Sequence, residues 1–176
     1  AEVAVAADRA AQLCRDAGAR GVRRADEAAD RAMLWKGRKS AFAAVGQISP
    51  TYYVQDGVVP RSSLPKVLAA IEALSREFGW PVANVFHAGD GNLHPTIITE
   101  RGDADARGRA MEAFDDILEV ALDLGGTITG EHGIGNLKQR MLARELDEAA
   151  QDLHTRVKSA WDPDNILNPG KSLPRW

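Results

Sequence analysis

The stretch Val82-Ala-Asn-Val-Phe-His87-Ala-Gly-Asp-Gly-Asn-Leu-His94-Pro-Thr-Ile-Ile-Thr99 decides how the rest of the chain is read. Residues 82–86 and 93–99 are rich in β-branched and aromatic side chains, so both read as strands. Between them, Gly89-Asp90-Gly91-Asn92 interrupts the pattern with turn-forming residues. Upstream, residues 48–59 read as extended, with Thr51, Tyr52, Tyr53 and Val54 favouring a strand and Asp56-Gly57 signalling a turn or bulge. A helix follows: Ser62 or Ser63 caps it, Pro65 sits in its first turn, and Leu64, Val67, Leu68, Ile71, Leu74 and Phe78 form its apolar stripe. Gly79 and Pro81 end it. Downstream, Asp103 or Asp105 opens a helix with Met111, Phe114, Leu118, Ala121 and Leu122 on its core face.

The remaining segments are mostly helical. Val3, Ala6, Ala10, Leu13, Cys14 and Ala17 recur at helical spacing, and Gly18 is the stop. A second helix is expected over 26–42, with a short strand over 19–24 between the two. Thr127-Ile128-Thr129 is too short to assign. Further helices are expected near 136–144 and after Asp147, the latter turning Ala150, Leu153, Val157 and Trp161 inward. Helices of ordinary length alternating with a few strands define an α+β fold with an antiparallel or mixed sheet backed by helices. No internal repeat, low-complexity linker or composition shift marks a domain boundary.

Composition narrows the function without naming it. The chain has 176 residues, 22 Lys+Arg against 25 Asp+Glu, and a formal charge of −3. An isoelectric point near 5.8 gives no global attraction to nucleic acid or to an anionic membrane. Lys66 and Arg76 are too scattered to form a nucleic-acid stripe. No apolar run approaches the ~20 residues of a membrane span. The single cysteine, Cys14, forms no internal disulfide and fits a reducing, cytoplasmic compartment. With no basic cluster or histidine beside it, Cys14 is expected to be inert packing.

Two segments carry the chemistry. His87 and His94 flank the glycine-rich turn. In one uninterrupted strand they would face opposite ways, but a tight reversal at the glycines can bring both imidazoles to one side. Neutral imidazoles suit zinc and other divalent transition metals, and Asp90 or Asn92 could ligate, support a ligand or meet substrate. A plain hairpin with surface histidines also fits this pattern. The second segment, residues 125–135, holds five glycines around Glu131-His132. Adjacent side chains usually diverge, so Glu131 could complete a metal site while His132 faces a substrate as a general base. A glycine-rich connector with a solvent-exposed Glu-His pair is the alternative. Arg38, in Lys36-Gly-Arg-Lys39, has the fork to clamp a carboxylate, although a basic cluster on a helix also fits a solvated face. His154 has no comparable setting and reads as structural or exposed.

His87-Ala-Gly-Asp-Gly-Asn-Leu-His94, Gly130-Glu-His-Gly-Ile-Gly135 and Asp162-Pro-Asp-Asn-Ile-Leu-Asn-Pro-Gly-Lys171, in this order, closely resemble the C-terminal half of the FAD-linked 2-hydroxy-acid oxidoreductases of the vanillyl-alcohol-oxidase type. Trp35-Lys-Gly-Arg-Lys39, Gly46-Gln-Ile-Ser-Pro-Thr-Tyr-Tyr53 and Asp56-Gly-Val-Val-Pro-Arg61 extend the resemblance over nearly the whole chain, toward the glycolate oxidase and D-lactate dehydrogenase branches. The resemblance implies a ferredoxin-like, substrate-binding cap over residues 1–176, lacking its first strand and the FAD-binding domain that precedes it. It also implies that His87, His94 and Glu131 hold a divalent metal (zinc, iron or manganese), that His132 is the base, that Arg38 and Asn92 meet the substrate, and that Asn168 returns toward FAD. The implied reaction oxidises a 2-hydroxy acid to a 2-oxo acid by hydride transfer to flavin. The implied partners are the FAD-binding domain and other subunits of a glycolate oxidase complex, through which the chain would reach a membrane. Members that act on D-2-hydroxyglutarate have a lysine near position 54, where this chain reads Tyr53-Val54-Gln55; that favours a small acid such as glycolate or D-lactate. The competing readings are a metal-dependent hydrolase using His87, His94 and Glu131, and a stand-alone module that binds a small acid without chemistry.

Overall fold

A computed structural model of the chain describes residues 2–100 and 105–173. The chain divides into two compact units, Ala1–Phe42 and Ala43–Trp176. The first unit contains α1 (Glu2–Asp16) and α2 (Ala28–Lys39), and neither helix buries a residue. Gly18, at φ +88°, stops α1 as its sequence implies. The strand expected over 19–24 does not form. A strand needs a partner for its N–H and C=O groups, and the first unit offers no strand among its described residues. The segment is tied instead by Arg24, which pairs with Asp8 on α1 and, at 2.7 Å, with Asp26. Cys14 is exposed rather than packed, because α1 has no buried face. The helix expected over 26–42 breaks at Ser40, whose φ of −90° and ψ of −1° leave the helical path, and α3 resumes over Ala41–Val45.

In the second unit the sheet is built around β4 (Asn92–Ile98). β3 (Val82–His87) pairs along one edge of it, and β1 (Tyr52–Val54) and β2 (Gly57–Val58) pair along the other, all antiparallel. β1 and β2 keep one register: Val54 lies opposite Thr96 and Gly57 opposite Leu93. Gln55 and Asp56 therefore fall opposite Pro95 and His94. The backbone N–H of Gln55 donates to Pro95 O at 2.9 Å. Proline has no N–H to return, and there the edge splits into two short strands.

The two faces of this sheet differ sharply. Leu93 and Ile97 of β4, with Phe86, Val82 and Tyr53 opposite them, pack against α4 (Leu64–Phe78) and α5 (Ala106–Asp123). Val67 and Ile71 of α4 and Ala110, Phe114, Ile117 and Ala121 of α5 complete that core, which confirms the two apolar stripes seen in the sequence. The opposite face carries Asn92, His94 and Thr96. These are polar, yet every residue of β4 is buried. The cover over the polar face comes from the segment after α5, and that segment carries the site.

The helix ends follow mixed chemistry. A 3-10 turn at Arg61–Ser63 leads into α4, so Ser63 stands at the N-cap position without a side-chain cap bond. Gly79 closes α4 in the left-handed region at φ +76°. Asp105 stands at the N-cap position of α5, and Asp103 lies outside the described residues. α6 (Gln139–Glu145) packs Met141 and Leu142 against Leu118 and Ile128. Asp147 caps α7 (Glu148–Trp161) by accepting from the N–H of Ala150 at 2.8 Å. The inward face expected of α7 is not found. The helix buries no residue, and Leu153, Val157 and Trp161 are exposed. Their spacing made an amphipathic stripe, but among the described residues no element lies on it. No helix of the described residues is long and apolar enough to cross a membrane.

Candidate metal centre

The β3–β4 reversal takes four residues, 88–91, and it sets the parity that the two histidines need. His87 lies directly opposite Asn92. Directly opposed residues share a face, and His94 is two positions further along β4, so His87, Asn92 and His94 all project from the polar face. Gly91 makes the reversal possible: its φ is +76°, and a Cβ there would stand 2.0 Å from Val59 O. The His87 and His94 ring centroids are 5.5 Å apart and edge-on.

Glu131 reaches this pair from the covering loop. Its Oε1 lies 2.8 Å from His94 Nε2 and 3.8 Å from His87 Nε2. The three ligand atoms fall within 4.8 Å of one another. His132 does not diverge from its neighbour as adjacent side chains usually do. Its ring stacks on His94 with centroids 4.9 Å apart and planes at 10°, and its Nε2 is 4.0 Å from Glu131 Oε1. His94 is buried, whereas the side chains of His87, Glu131 and His132 are 46%, 52% and 47% exposed. The cluster therefore has a closed floor and an open mouth. Two imidazoles and a carboxylate with an open side fit a working transition-metal site. Asn92 adds to that fit: it is buried on the same face, and its Oδ1 has no hydrogen-bond partner among the described residues.

The loop is held in place by Asp56, a residue whose sequence setting beside Gly57 is that of a turn or bulge. Asp56 is fully buried, and its Oδ2 accepts from Thr129 Oγ1 at 2.7 Å and from the backbone N–H groups of Gly130, Glu131 and His132 at 2.9, 3.2 and 3.0 Å. Lys138, also buried, donates from Nζ to Asp56 O at 2.6 Å and Ile128 O at 2.8 Å and stands 3.5 Å from Oδ2. Burial alone would raise the Asp56 carboxyl. The Thr129 hydroxyl, the His132 and Gly130 N–H groups and the Lys138 charge outweigh it and hold the group below the usual carboxylate range. Burial pushes the Lys138 ammonium down, with Asp56 opposing. Asp56 also belongs to a second set of ligand atoms within 4.8 Å, with His94 and His132. No local signal marks Asp56 for this role: it shares strand parity with exposed Tyr52, and its donors arrive from residues 129–132 and Lys138.

Gly130 has no room for a side chain. A Cβ would meet the Asn92 amide and Val58 Cγ2 at 2.8 Å. Gly130→Ala is expected to lift the loop and destabilise the fold by about 1–3 kcal/mol, the usual cost of overpacking. Urea unfolding checks this, and an unchanged midpoint would show that the loop yields freely.

The other sequence candidates lie apart from this cluster or outside its unit. Arg38 is exposed on α2 in the first unit, where it lines a surface groove with Arg31, Leu34 and Trp35. Asp90 is exposed in the turn, and His154 is exposed on α7. Asn168 is exposed in the tail with φ +50°, and its carbonyl accepts from the Lys171 N–H. Buried Asp162 organises that tail: it accepts from the N–H groups of Ile166 and Leu167, both at 2.9 Å, and pairs with Lys158.

The sequence matches the family described as "FAD linked oxidases, C-terminal domain" over residues 1–172. It is 48% identical over 158 residues to "Glycolate oxidase subunit GlcD" of Escherichia coli (strain K12), which covers 90% of this chain and 32% of that protein. The corresponding subunit of Bacillus subtilis (strain 168) is 38% identical over 93% of this chain and 35% of its own length. A "Probable D-lactate dehydrogenase, mitochondrial" of Danio rerio is 34% identical over 92% of this chain and 33% of its own length. The chain belongs to the C-terminal domain family of the FAD-linked oxidases. It spans about a third of the length of these curated relatives.

Proposed function

We propose that residues 1–176 are the substrate- and metal-binding cap of an FAD-dependent oxidoreductase that converts a small 2-hydroxy acid, glycolate or D-lactate, into its 2-oxo acid. The observation that carries this reading is the convergence of His87, His94 and Glu131 in a chain of this family. In the proposal these three side chains hold a zinc, iron or manganese ion, His132 takes the hydroxyl proton, Asn92 meets the substrate beside them, and Arg38 pairs with the substrate carboxylate. A divalent cation held there would polarise the 2-hydroxyl and lower its pKa. FAD, held by the longer polypeptide seen in the relatives and faced by Asn168, supplies the hydride acceptor. The enzyme would work in the cytoplasm, reaching a membrane only through other subunits of a glycolate oxidase-type complex.

Metal content tests the core of this reading. The full chain, loaded with zinc and freed of excess, is expected to carry about one ion, as three protein ligands and an open position require. His87→Ala with His94→Ala should remove it. A wild-type chain that retains no divalent ion would overturn the metal assignment, and retention by the double variant would place the ion elsewhere.

A further inference from the structure

Asp56 stands between the ligands and the base. Its Oδ2 is taken up by the Thr129 hydroxyl and three successive N–H groups, so one oxygen fixes the backbone carrying both Glu131 and His132. Its Oδ1 is buried, accepts no hydrogen bond and faces His94 Nδ1 at 4.0 Å. On the other side of that ring, Nε2 points at Glu131 and His87. The two nitrogens of an imidazole are linked: the one that keeps the proton decides which offers a lone pair.

We propose that Asp56 is a positioning residue for the centre: Oδ2 holds the 129–132 loop, and Oδ1 takes the Nδ1–H of His94, leaving Nε2 as the ligand atom. A small rotation of the ring closes the 4.0 Å gap. A carboxylate behind a ligating histidine fixes its tautomer and raises its basicity, and removing such a partner commonly weakens metal binding 10–100-fold. The inference rests on the metal reading above.

The test is a zinc titration of the full chain against a chromophoric chelator. Asp56→Asn keeps the shape but offers one oxygen for two. If its amide NH₂ faces His94, it imposes the opposite tautomer; if it faces the loop, it expels the N–H groups. Either way zinc affinity should fall about 10–100-fold. Leu142→Ala, a core truncation beneath α6, controls for general destabilisation and should leave zinc affinity within twofold. Should Asp56→Asn fail to fold, the zinc-loaded wild type supplies the second measurement. The His94 Nδ1–H should then appear as a downfield, slowly exchanging proton resonance. Asp56→Asn binding zinc within twofold of wild type, or an Nδ1–H resonance typical of bonding to water, would overturn the role of Asp56 and leave the metal reading intact. A wild type that binds no zinc would overturn both.

Discussion

Lys138→Met is expected to destabilise the metal-free chain by about 3–5 kcal/mol, the usual cost of removing one partner from a buried ion pair. Two losses combine. The Asp56 carboxylate stays buried without its counter-charge, and the carbonyls of Asp56 and Ile128 lose a shared donor that lies 2.6 and 2.8 Å away. Neither group gains water, because Asp56, Ile128 and the Lys138 position are all buried. The methionine fills similar volume, so a cavity contributes little and the deficit reports the polar network. A loss of this size is a large share of the 5–15 kcal/mol that holds an ordinary domain together. Urea unfolding gives the number. Adding Asp56→Asn should recover part of it, since the residual charge is then removed, and the double variant should be less destabilised than the sum of the singles. A single-variant loss below about 1 kcal/mol would show that the pair is solvated as a surface bridge is.

The network that dominates this prediction is also the part of the molecule least legible in the sequence. The β3–β4 hairpin was readable because strand-forming runs and glycines act locally. The convergence of His87 and His94 followed from parity once a reversal was granted, and Glu131-His132 stood out by residue type. Asp56 and Lys138 lie 82 positions apart and meet only because the loop folds over the sheet. Nothing local in Asp56-Gly57 distinguishes a turn carboxylate from a buried anchor; that depends on Pro95 failing to donate across the sheet and on three N–H groups arriving from residues 130–132. Residues 19–24 and α7 depart from their sequence patterns for a different reason. There the local pattern was sound, but pairing and burial depend on what lies alongside. Leu153, Val157 and Trp161 repeat at core spacing and remain exposed because no described element covers them. Periodicity states which face is apolar and is silent about its partner.

On the proposed function, His132→Ala in the longer, FAD-containing polypeptide is expected to slow flavin reduction by glycolate or D-lactate about 10²–10⁴-fold, the range for loss of a general base, with divalent metal content unchanged. The proposed base and the proposed ligands differ in how they stand to Glu131 and to the His94 ring. His87 and His94 aim Nε2 at Glu131 Oε1 from 3.8 and 2.8 Å. His132 lies flat against the His94 ring, with its own Nε2 4.0 Å from that oxygen and its side chain half exposed at the mouth. Its backbone N–H donates to Asp56, which fixes where the imidazole stands. The rival arrangement, with Asp56, His94 and His132 as the ligand set, would use the buried Asp56 Oδ1, the oxygen that accepts no hydrogen bond. It would draw the ion beneath the floor, away from the exposed Glu131 and His87. Stopped-flow reduction and metal analysis of the same preparation discriminate between the two. Slow reduction with full metal content identifies His132 as the base. Unchanged reduction excludes that role, and loss of the ion together with activity makes His132 a ligand. His87→Ala supplies the contrast: it should release the ion, because the remaining two ligands cannot close the site.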